Sequence, residues 1–542
     1  MSYTAHLDTF ARDNLPPQDQ WPEFIFDLPE LQYPKRLNCA AELLDKAIEN
    51  GWGDRIAIRG HDENLTYAQL LARANQVARL LLEDVGLVPG NRVLLRGPNN
   101  PMLAVCWFGV VKAGMIAVTT MPLLRQKELT EIIEKAQVSA ALCDKRFDEE
   151  LVSAQKKSPT LKEIIYFNSE SLAGLEERMG GKPTTFENVD TAADDAVLIA
   201  FTSGTTGKPK GTMHFHRDVL AICDCFPKSI VDIQPDDICI GTPPLAFTFG
   251  LGGILLFPLR VGACSVLLEK FTPDSMLQAI HDFHATITWT SPFFYRQMAA
   301  LVPNHKLPSL RKSVSAGEAL PTSTRTFWRD ATGIEIIDGI GTTEILHIFI
   351  SAPETDVRAG ATGKPVPGYK ACILNAEGNP LAPGQIGRLA VKGPTGCRYL
   401  ADDRQSSYVH DGWNVTGDAY LMDEEGYFYY QARTDDMIIT AGYNVAGPEV
   451  EDVLLQHPAV AECAVVGAPD ETRGTIIKAF VVLKPDNAPD EALVKTLQDF
   501  VKETIAPYKY PRAVEFVESL PRTETGKLQR FKLRQQAQES IL

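Results

Sequence analysis

The residues best suited to chemistry are the hydroxyl, glycine and lysine residues at positions 202–211, which read TSGTTGKPKG. They follow an apolar run at residues 196–201, AVLIAF, which predicts a buried strand. Glycines after a strand let successive backbone N–H groups turn inward and form a concave anion site. Hydroxyls and lysines add donors and positive charge, so this stretch predicts a cradle for phosphate oxygens. The predicted cradle residues are Thr202, Ser203, Gly204, Thr205, Thr206, Gly207 and Lys208.

The cradle is not a Walker-type P-loop. That motif has four residues between its first glycine and the Gly-Lys pair, and a serine or threonine after the lysine. Here two residues separate Gly204 from Gly207, and Pro209, which has no backbone N–H, follows the lysine. The alternative interpretation is a flexible surface loop.

Further strings combine glycines with carboxylates or a lysine. Residues 338–344 read DGIGTTE, residues 412–418 read GWNVTGD, and residues 521–530 read PRTETGKLQR. Glycines let the backbone approach a ligand closely. Glu344 could hold Mg²⁺ together with phosphates, and Asp418 is a carboxylate suited to sugar hydroxyls. These strings predict further parts of a nucleotide site.

Together with SAGEALP at residues 315–321, these strings span the whole chain and resemble those of the adenylate-forming superfamily. That superfamily comprises acyl- and aryl-CoA ligases, luciferases and the adenylation domains of peptide synthetases. The resemblance implies ATP, Mg²⁺ and CoA as cofactors. It also implies two steps: ATP converts a carboxylate to an acyl-adenylate with loss of pyrophosphate, and a thiol then displaces AMP.

The resemblance implies a role for each string. Asp338 would accept a hydrogen bond from the adenine amino group, and Asp418 with Arg433 would hold the ribose. Thr343 and Glu344 would bind phosphate and Mg²⁺. The nucleotide contacts implied in addition are Gly317, Glu318, Ala319, Gly339, Ile340, Gly341 and Thr342, with Ile340 standing where the family usually has an aromatic residue.

Lys527 would act on the substrate carboxylate and the α-phosphate, by the same resemblance. Asp435 falls at the family's hinge position, and Ala441 and Gly442 fall where the arm of CoA passes. The simpler alternatives are an exposed C-terminal lysine and a solvated acidic pair at residues 435–436.

The elements that must position these residues follow a strand–helix–strand pattern. Residues 91–97 (NRVLLRG) predict a strand, Asn100 can cap a helix that runs to about Lys112, and residues 115–120 predict the next strand. Gly114 is the predicted end of that helix. Such βαβ units imply parallel sheets that are covered on both faces.

The length of 542 residues predicts more than one domain. The predicted fold class is α/β and multidomain. A large N-terminal domain, residues 1–433, would contain parallel α/β sheets and, within residues 361–430, a small antiparallel β-barrel-like subdomain. Residues 434–542 would form a small, mobile α+β domain that carries the catalytic lysine.

The net charge of −16 argues against a nucleic-acid or anionic-membrane partner, but not against a nucleotide. The apolar runs at residues 104–124 and 245–268 are interrupted by charged residues, glycine or proline, so they predict buried helix–turn–strand segments rather than membrane spans. The ten cysteines are scattered and predict reduced thiols. We therefore expect a soluble, cytoplasmic protein without a signal peptide; the oligomeric state, monomer or homodimer, stays open.

The acyl pocket is expected to form between residues 247–250 and 345–348. Within the resemblance, Gly341, His347 and Ile348 match pocket positions of benzoate-CoA ligase-type enzymes. Phenylalanines beside a glycine and an isoleucine predict a flat apolar slot for one ring, in which His347 or Thr248 could hydrogen-bond a ring substituent. A satisfied core histidine is the alternative. The predicted pocket residues are Phe247, Thr248, Phe249, Gly250, Gly341, His347 and Ile348.

These observations predict an ATP-dependent ligase that joins a small aromatic carboxylate to CoA. Residues 1–17 and the LHIF stretch at residues 346–349 most resemble the 2-aminobenzoate-CoA ligase branch, which makes 2-aminobenzoate the leading substrate. Residues 246–249 contain no aspartate to pair with an α-ammonium group, so an α-amino acid is not expected. The alternatives are an enzyme that loads an aryl acid onto a carrier-protein thiol, and a non-catalytic nucleotide-binding protein.

Overall fold

The predicted βαβ unit lies in the middle of the first sheet. Strand Arg92–Arg96 pairs in parallel with Ile116–Thr120, and helix Pro101–Lys112 connects them. The Asn100 side chain accepts a hydrogen bond from a backbone N–H of the first turn, so it caps this helix as predicted. Gly114 follows the helix with a φ of 67°, a conformation that favours glycine.

The structure is a computed structural model of the whole chain. The structure describes residues 3–203, 209–433, 436–440, 443–470, 474–485, 487–505, 507–523 and 527–539.

The first sheet ends in a pair of antiparallel strands. Its strands, in spatial order, are Glu163–Phe167, Ala140–Asp144, Arg92–Arg96, Ile116–Thr120, Ala196–Ser203 and Pro209–Phe215. Pairing is parallel up to Ala196–Ser203, which then pairs antiparallel with Pro209–Phe215. The predicted phosphate cradle connects these last two strands, and its residues 204–208 lie outside the described residues.

The second sheet is parallel through its centre and antiparallel at both edges. Its strands, in spatial order, are Lys364–Pro365, Ile348–Ser351, Ile336–Gly341, Lys312–Ser315, Ile287–Thr290, Ile238–Gly241, Cys264–Val266, Ile56–Arg59 and Asn64–Thr66. This order brings the SAGEALP and DGIGTTE strings to neighbouring strands.

Antiparallel strands follow, as predicted. They are Lys370–Leu374, Gly387–Lys392, Trp413–Met422 and Val409–His410, with Phe428–Arg433 also paired to Trp413–Met422. The strands after residue 436 pair only among themselves within the described chain: Ile438–Thr440 with Tyr443–Val445, and Gly474–Leu483 with both Val460–Asp470 and Ala513–Phe516. The predicted fold class is confirmed, whereas the domain boundary at residue 433 and the mobility of the second domain stay predictions.

Helices cover the sheets. The longer ones are Tyr67–Arg79, Pro101–Lys112, Gln126–Ala136, Asp148–Gln155, Leu175–Gly180, His216–Asp224, Pro273–Asp282, Pro292–Ala299, Thr322–Thr332, Gly447–Leu454, Glu491–Thr504 and Arg530–Glu539. Shorter helical segments are Phe10–Asp13, Ala41–Asp45, Lys46–Glu49, Leu80–Asp84, Pro227–Val231, Thr248–Gly250, Leu251–Leu256, Phe257–Arg260 and Gln405–Tyr408. Among the described residues, no helix combines the length and the apolar character needed to cross a membrane.

A buried ion pair joins helix His216–Asp224, which follows the last strand of the first sheet, to the segment that follows the antiparallel strand Gly387–Lys392. Asp218 and Arg398 are both fully buried, and the guanidinium donates to Oδ2 of Asp218. The same carboxylate oxygen accepts from the backbone N–H of Phe215 at 2.9 Å, and the guanidinium carbon of Arg398 lies 3.8 Å from the centre of the Phe215 ring. This pair therefore fixes the position of the residue that follows it, Tyr399.

We expect Asp218→Ala to destabilise the protein strongly, because it leaves the Arg398 guanidinium buried without a carboxylate. Breaking a buried pair from one side typically costs about 3–5 kcal/mol. Thermal and urea unfolding of the variant would measure the loss. Asp330→Ala, at an exposed helix position, is the control and should change stability by less than about 0.5 kcal/mol; equal effects of the two substitutions would contradict the expectation.

Candidate active site

Asp338 lies where the parallel pairing of two neighbouring strands ends. Strands Lys312–Ser315 and Ile336–Gly341 are parallel, and Ser315 pairs with Asp338. Asp338 is 7% exposed, and its Oδ1 has no hydrogen-bond partner among the described residues. Burial raises the pKa of Asp338 to about 6, although the positive charge of Arg325 opposes the shift. Asp338 thus provides a buried acceptor at the carboxyl end of this parallel pairing, which is the end at which ligands of such sheets bind.

Glu344 is held by a group from a distant part of the chain. Its Oε1 accepts a hydrogen bond from the Tyr399 hydroxyl at 2.6 Å. Nζ of Lys210, a residue that follows the predicted cradle, donates to the same hydroxyl oxygen at 3.4 Å. Burial and the charge of Glu344 raise the pKa of Tyr399, so the phenol keeps its proton and donates it to the carboxylate.

The backbone next to Glu344 is held by a histidine. Nε2 of His214 lies 2.8 Å from the carbonyl oxygen of Thr343. Burial, together with the charge of Arg398, lowers the pKa of His214 to about 3, so the imidazole is neutral near pH 7. Because a carbonyl oxygen only accepts, the proton of this neutral ring must be on Nε2.

Asp418 and Arg433 face each other on neighbouring strands. They are cross-strand partners, and Nη1 of Arg433 donates to Oδ1 of Asp418 at 3.1 Å. Asp418 is buried, whereas the Arg433 side chain is 47% exposed. A Cβ atom at Gly417 would lie 2.3 Å from Nη2 of Arg433, so the glycine makes room for the guanidinium.

Lys527 comes to this same region from the C-terminal part of the chain. Its Cε lies 3.7 Å from the position that a Cβ atom would occupy on Gly317. The side chain is open to solvent, yet the surrounding protein lowers its pKa by desolvation, against the charge of Glu318; Arg433 lowers the pKa further and Asp418 opposes it. Lys527 therefore lies within the electrostatic field of both the SAGEALP turn and the pair of Asp418 and Arg433.

His347 is enclosed by aromatic rings. Its ring centroid lies 4.5 Å from that of Phe257, 5.8 Å from that of Phe249 and 6.3 Å from that of Trp289. The side chain is 3% exposed, and neither ring nitrogen makes a well-formed hydrogen bond to the described residues. Burial lowers the pKa of His347 to about 3, despite an opposing effect from the backbone of Phe249. The structure thus contains a neutral imidazole with unused hydrogen-bonding capacity.

The other predicted pocket residues lie around this histidine or at the start of the neighbouring helix. Gly341 pairs with Ile348, and a Cβ atom on Gly341 would lie 2.7 Å from the backbone of His347. Phe247 precedes helix Thr248–Gly250, in which Gly250 is buried.

The first two predicted cradle residues, Thr202 and Ser203, are the last residues of strand Ala196–Ser203. The residues that lie outside the described part of the chain are Gly204, Thr205, Thr206, Gly207, Lys208, Asp435, Ala441 and Gly442.

The contacts that Tyr399 and His214 make could not be predicted from the sequence. Neither residue belongs to a recognisable string. Leu346 has a φ of 74°, in a backbone region that is uncommon for a branched residue. This conformation could not be predicted from the sequence either. It reverses the chain between Glu344 and His347, so that one short segment serves both the carboxylate and the aromatic cluster.

Comparison with known proteins identifies the family. Residues 45–399 match the AMP-binding enzyme family, and residues 449–527 match the C-terminal domain of AMP-binding enzymes. The chain belongs to the AMP-binding enzyme family.

Relatives of this AMP-binding enzyme match it over nearly its whole length. The benzoate–CoA ligase of Thauera aromatica is 35% identical over 512 residues, which cover 93% of this chain and 97% of that protein. The crystal structure of the anthranilate CoA ligase AuaEII in complex with anthranoyl-AMP gives a TM-score of 0.90 at 35% identity, with 95% of this chain and 100% of that chain covered. A benzoate CoA ligase from Burkholderia xenovorans LB400 gives 0.84 at 34% identity, with 92% and 100% covered. The predictions that the chain is an enzyme, and that it belongs to the benzoate-CoA ligase-like branch of the adenylate-forming superfamily, are confirmed.

We expect Asp338→Asn to stabilise this AMP-binding enzyme at neutral pH. Folding raises the pKa of Asp338 from 3.8 to about 6, so ionising the folded protein costs up to about 3 kcal/mol at about 1.36 kcal/mol per pKa unit. Below about pH 4 the acid is protonated in both states, and this cost disappears. The gain in Tm should therefore grow between about pH 4 and pH 6 and stay constant above that range.

Thermal unfolding across this pH range would check the expectation. Asp236→Asn, at an exposed position, is the control. A gain for Asp338→Asn that is the same at low and neutral pH would contradict the role of ionisation.

Proposed function

We propose that this AMP-binding enzyme activates an aromatic carboxylic acid with ATP and transfers the acyl group to CoA, releasing AMP and pyrophosphate. The observation that carries the proposal is the position of Lys527, beside Gly317 and among the charges of Glu318, Arg433 and Asp418. A lysine that is distant in sequence but lies beside the proposed nucleotide-binding residues is placed as the activation of a carboxylate by ATP requires. The names of its relatives, benzoate–CoA ligase and anthranilate CoA ligase, support the same reaction class.

In the first proposed step the substrate carboxylate attacks the α-phosphorus of ATP, and the bond from phosphorus to the pyrophosphate oxygen breaks. Negative charge grows on the α-phosphoryl oxygens and on the leaving group, where the ammonium of Lys527 would stabilise it. In the second step the CoA thiol attacks the acyl carbon and AMP leaves.

The nucleotide would lie along the edge of the second sheet. The unused Oδ1 of Asp338 would accept from the adenine amino group, and Asp418 with Arg433 would bind the ribose. The further contacts that we propose are Thr202, Ser203, Gly204, Thr205, Thr206, Gly207, Lys208, Gly317, Glu318, Ala319, Gly339, Ile340, Gly341 and Thr342.

Thr343 and Glu344 fit Mg²⁺, since this ion takes oxygen ligands together with phosphate. The Tyr399 hydroxyl orients one carboxylate oxygen of Glu344 through its hydrogen bond. When bound, the ion would neutralise charge on the polyphosphate. Asp435 as hinge, and Ala441 and Gly442 as the passage for CoA, stay predictions.

The leading substrate is 2-aminobenzoate. The likeness to a structure described as an anthranilate CoA ligase supports this choice. His347 supports it as well, because a neutral imidazole with no well-formed hydrogen bond among the described residues can pair with a polar ring substituent. Its aromatic surroundings favour a flat ring over an aliphatic chain.

The acceptor thiol and the acid can be tested together. The purified protein would be given ATP with benzoates, aminobenzoates or short fatty acids, and either CoA or a carrier protein, and products would be identified by mass. Aryl-CoA products support the proposal. Transfer to the carrier alone would favour the carrier-loading alternative, and absence of ATP consumption with every acid would favour non-catalytic nucleotide binding. The cytoplasmic location stays a prediction, and the oligomeric state, monomer or homodimer, stays open.

We expect Lys527→Ala to block the first step selectively. Pyrophosphate release should fall by about a hundred- to a thousandfold, because one well-placed charged donor is lost. Conversion of a supplied aryl-adenylate to the thioester should persist. Lys532→Ala, an exposed lysine on helix Arg530–Glu539, is the control; equal loss in both steps would contradict this division.

We expect His347→Leu to lower the preference for 2-aminobenzoate over benzoate. A lost hydrogen bond to a ring substituent is worth about 1–3 kcal/mol, so the ratio of the two kcat/KM values should fall about 5- to 150-fold. Thr248→Val, which removes the other candidate hydroxyl, provides the comparison. An unchanged ratio in His347→Leu would show that the imidazole is a core residue only.

A further inference from the structure

Lys527 is carried by two short arms that bond to each other. The arms are residues 521–523 and 527–529. The backbone N–H of Thr523 donates to the carbonyl oxygen of Lys527 at 2.7 Å, and the N–H of Lys527 donates to Oγ1 of Thr523 at 3.0 Å. Farther along, the N–H of Gln529 donates to the carbonyl oxygen of Pro521 at 2.8 Å. Moving either arm therefore moves the lysine.

Glu318 contacts both arms. Its Oε1 lies 3.5 Å from Nη1 of Arg522 on one arm and 3.4 Å from the backbone nitrogen of Leu528 on the other. Glu318 belongs to the SAGEALP turn, so these contacts join a nucleotide motif to the C-terminal part of the chain across more than 200 residues. Both contacts are long, but both are made to Oε1 of Glu318, by residues that lie before and after Lys527 in the sequence.

Arg522 strengthens this junction. Its Nη2 donates to Oε2 of Glu462 at 2.8 Å, which ties it to strand Val460–Asp470. Its guanidinium carbon lies 3.9 Å from the centre of the Phe293 ring, on helix Pro292–Ala299. Arg522 thus bridges the two parts of the chain through a charge and an aromatic face.

We propose that Glu318 positions Lys527 for the adenylation step by holding both arms, in addition to any contact of its backbone with the nucleotide. The inference rests on the proposed function for its catalytic consequence. Glu318 is a positioning residue here, since it acts through the lysine. A rearrangement that carries Lys527 away from Gly317 must break these contacts, so they favour the first half-reaction and are not needed in the second.

The two half-reactions test this role. In Glu318→Ala and Arg522→Gln, pyrophosphate release with an aryl acid should fall about ten- to a hundredfold, since a small misplacement of a catalytic group has effects of that size. KM for ATP should change by less than about threefold, and thioester formation from a supplied aryl-adenylate should be kept. Arg522→Lys should recover part of the lost rate. Lys509→Gln breaks an ion pair with Glu449 inside the C-terminal part and is the control.

Two kinetic outcomes would overturn the proposal. Equal loss in both half-reactions would mean a general structural role for Glu318. A raised KM for ATP with unchanged kcat would mean that the side chain serves only the nucleotide.

Amide hydrogen exchange tests the contacts without any substrate. In the full-length protein, peptides that contain Leu528 should exchange several-fold faster in Glu318→Ala than in the wild type, and at the wild-type rate in Lys509→Gln. Unchanged exchange in Glu318→Ala would overturn the proposal. If the wild type activates no aryl acid but exchange changes as expected, the proposed function fails while the positioning of Lys527 by Glu318 stands.

Discussion

The proposed site must place the negative phosphates of a nucleotide close to negatively charged carboxylates of the protein. The whole chain carries a net charge of −16, so the fold as a whole does not attract an anion. Two carboxylates near the site have local partners instead: Asp418 pairs with Arg433 at 3.1 Å, and Glu344 accepts a hydrogen bond from Tyr399 at 2.6 Å. Asp338 has no such partner on Oδ1 among the described residues, and burial raises its pKa. The charge balance of the site therefore depends on groups within a few ångströms of each carboxylate and not on the net charge of the chain.

The positions of Thr343 and Glu344 depend on contacts from other elements of the fold. The buried pair of Asp218 and Arg398 fixes the segment that carries Tyr399, and Tyr399 in turn orients Glu344. His214, on the same strand as Lys210, holds the carbonyl of Thr343. Rigid strands therefore support a short segment that would otherwise be free to move, which is what a preorganised catalytic site requires.

Lys527 depends on a different kind of support. It belongs to a part of the chain whose polar contacts with the rest, among the described residues, include that from the backbone N–H of Ser323 to Oδ1 of Asp452 at 3.3 Å and that from Arg296 to the carbonyl of Leu455 at 3.5 Å. In the proposed function this lysine serves one half-reaction and then leaves, whereas the proposed nucleotide-binding residues stay on the sheets.

The sequence alone was enough to predict the main strands and helices and to recognise the contiguous motifs. Apolar runs and caps act over a few residues, so the βαβ unit with its Asn100 cap and the parallel sheets could be predicted locally. The strings, and the family resemblance they carry, could be read because they are contiguous. The tertiary structure alone decided which side chains meet: Tyr399 lies 55 residues from Glu344 in the chain, and Arg522 lies 204 residues from Glu318. Likewise, the aromatic enclosure of His347 is assembled from separate helices and strands. No local pattern encodes such pairs, because they result from the packing of whole elements, and a hydrogen bond exists only once that packing has brought donor and acceptor within about 3 Å.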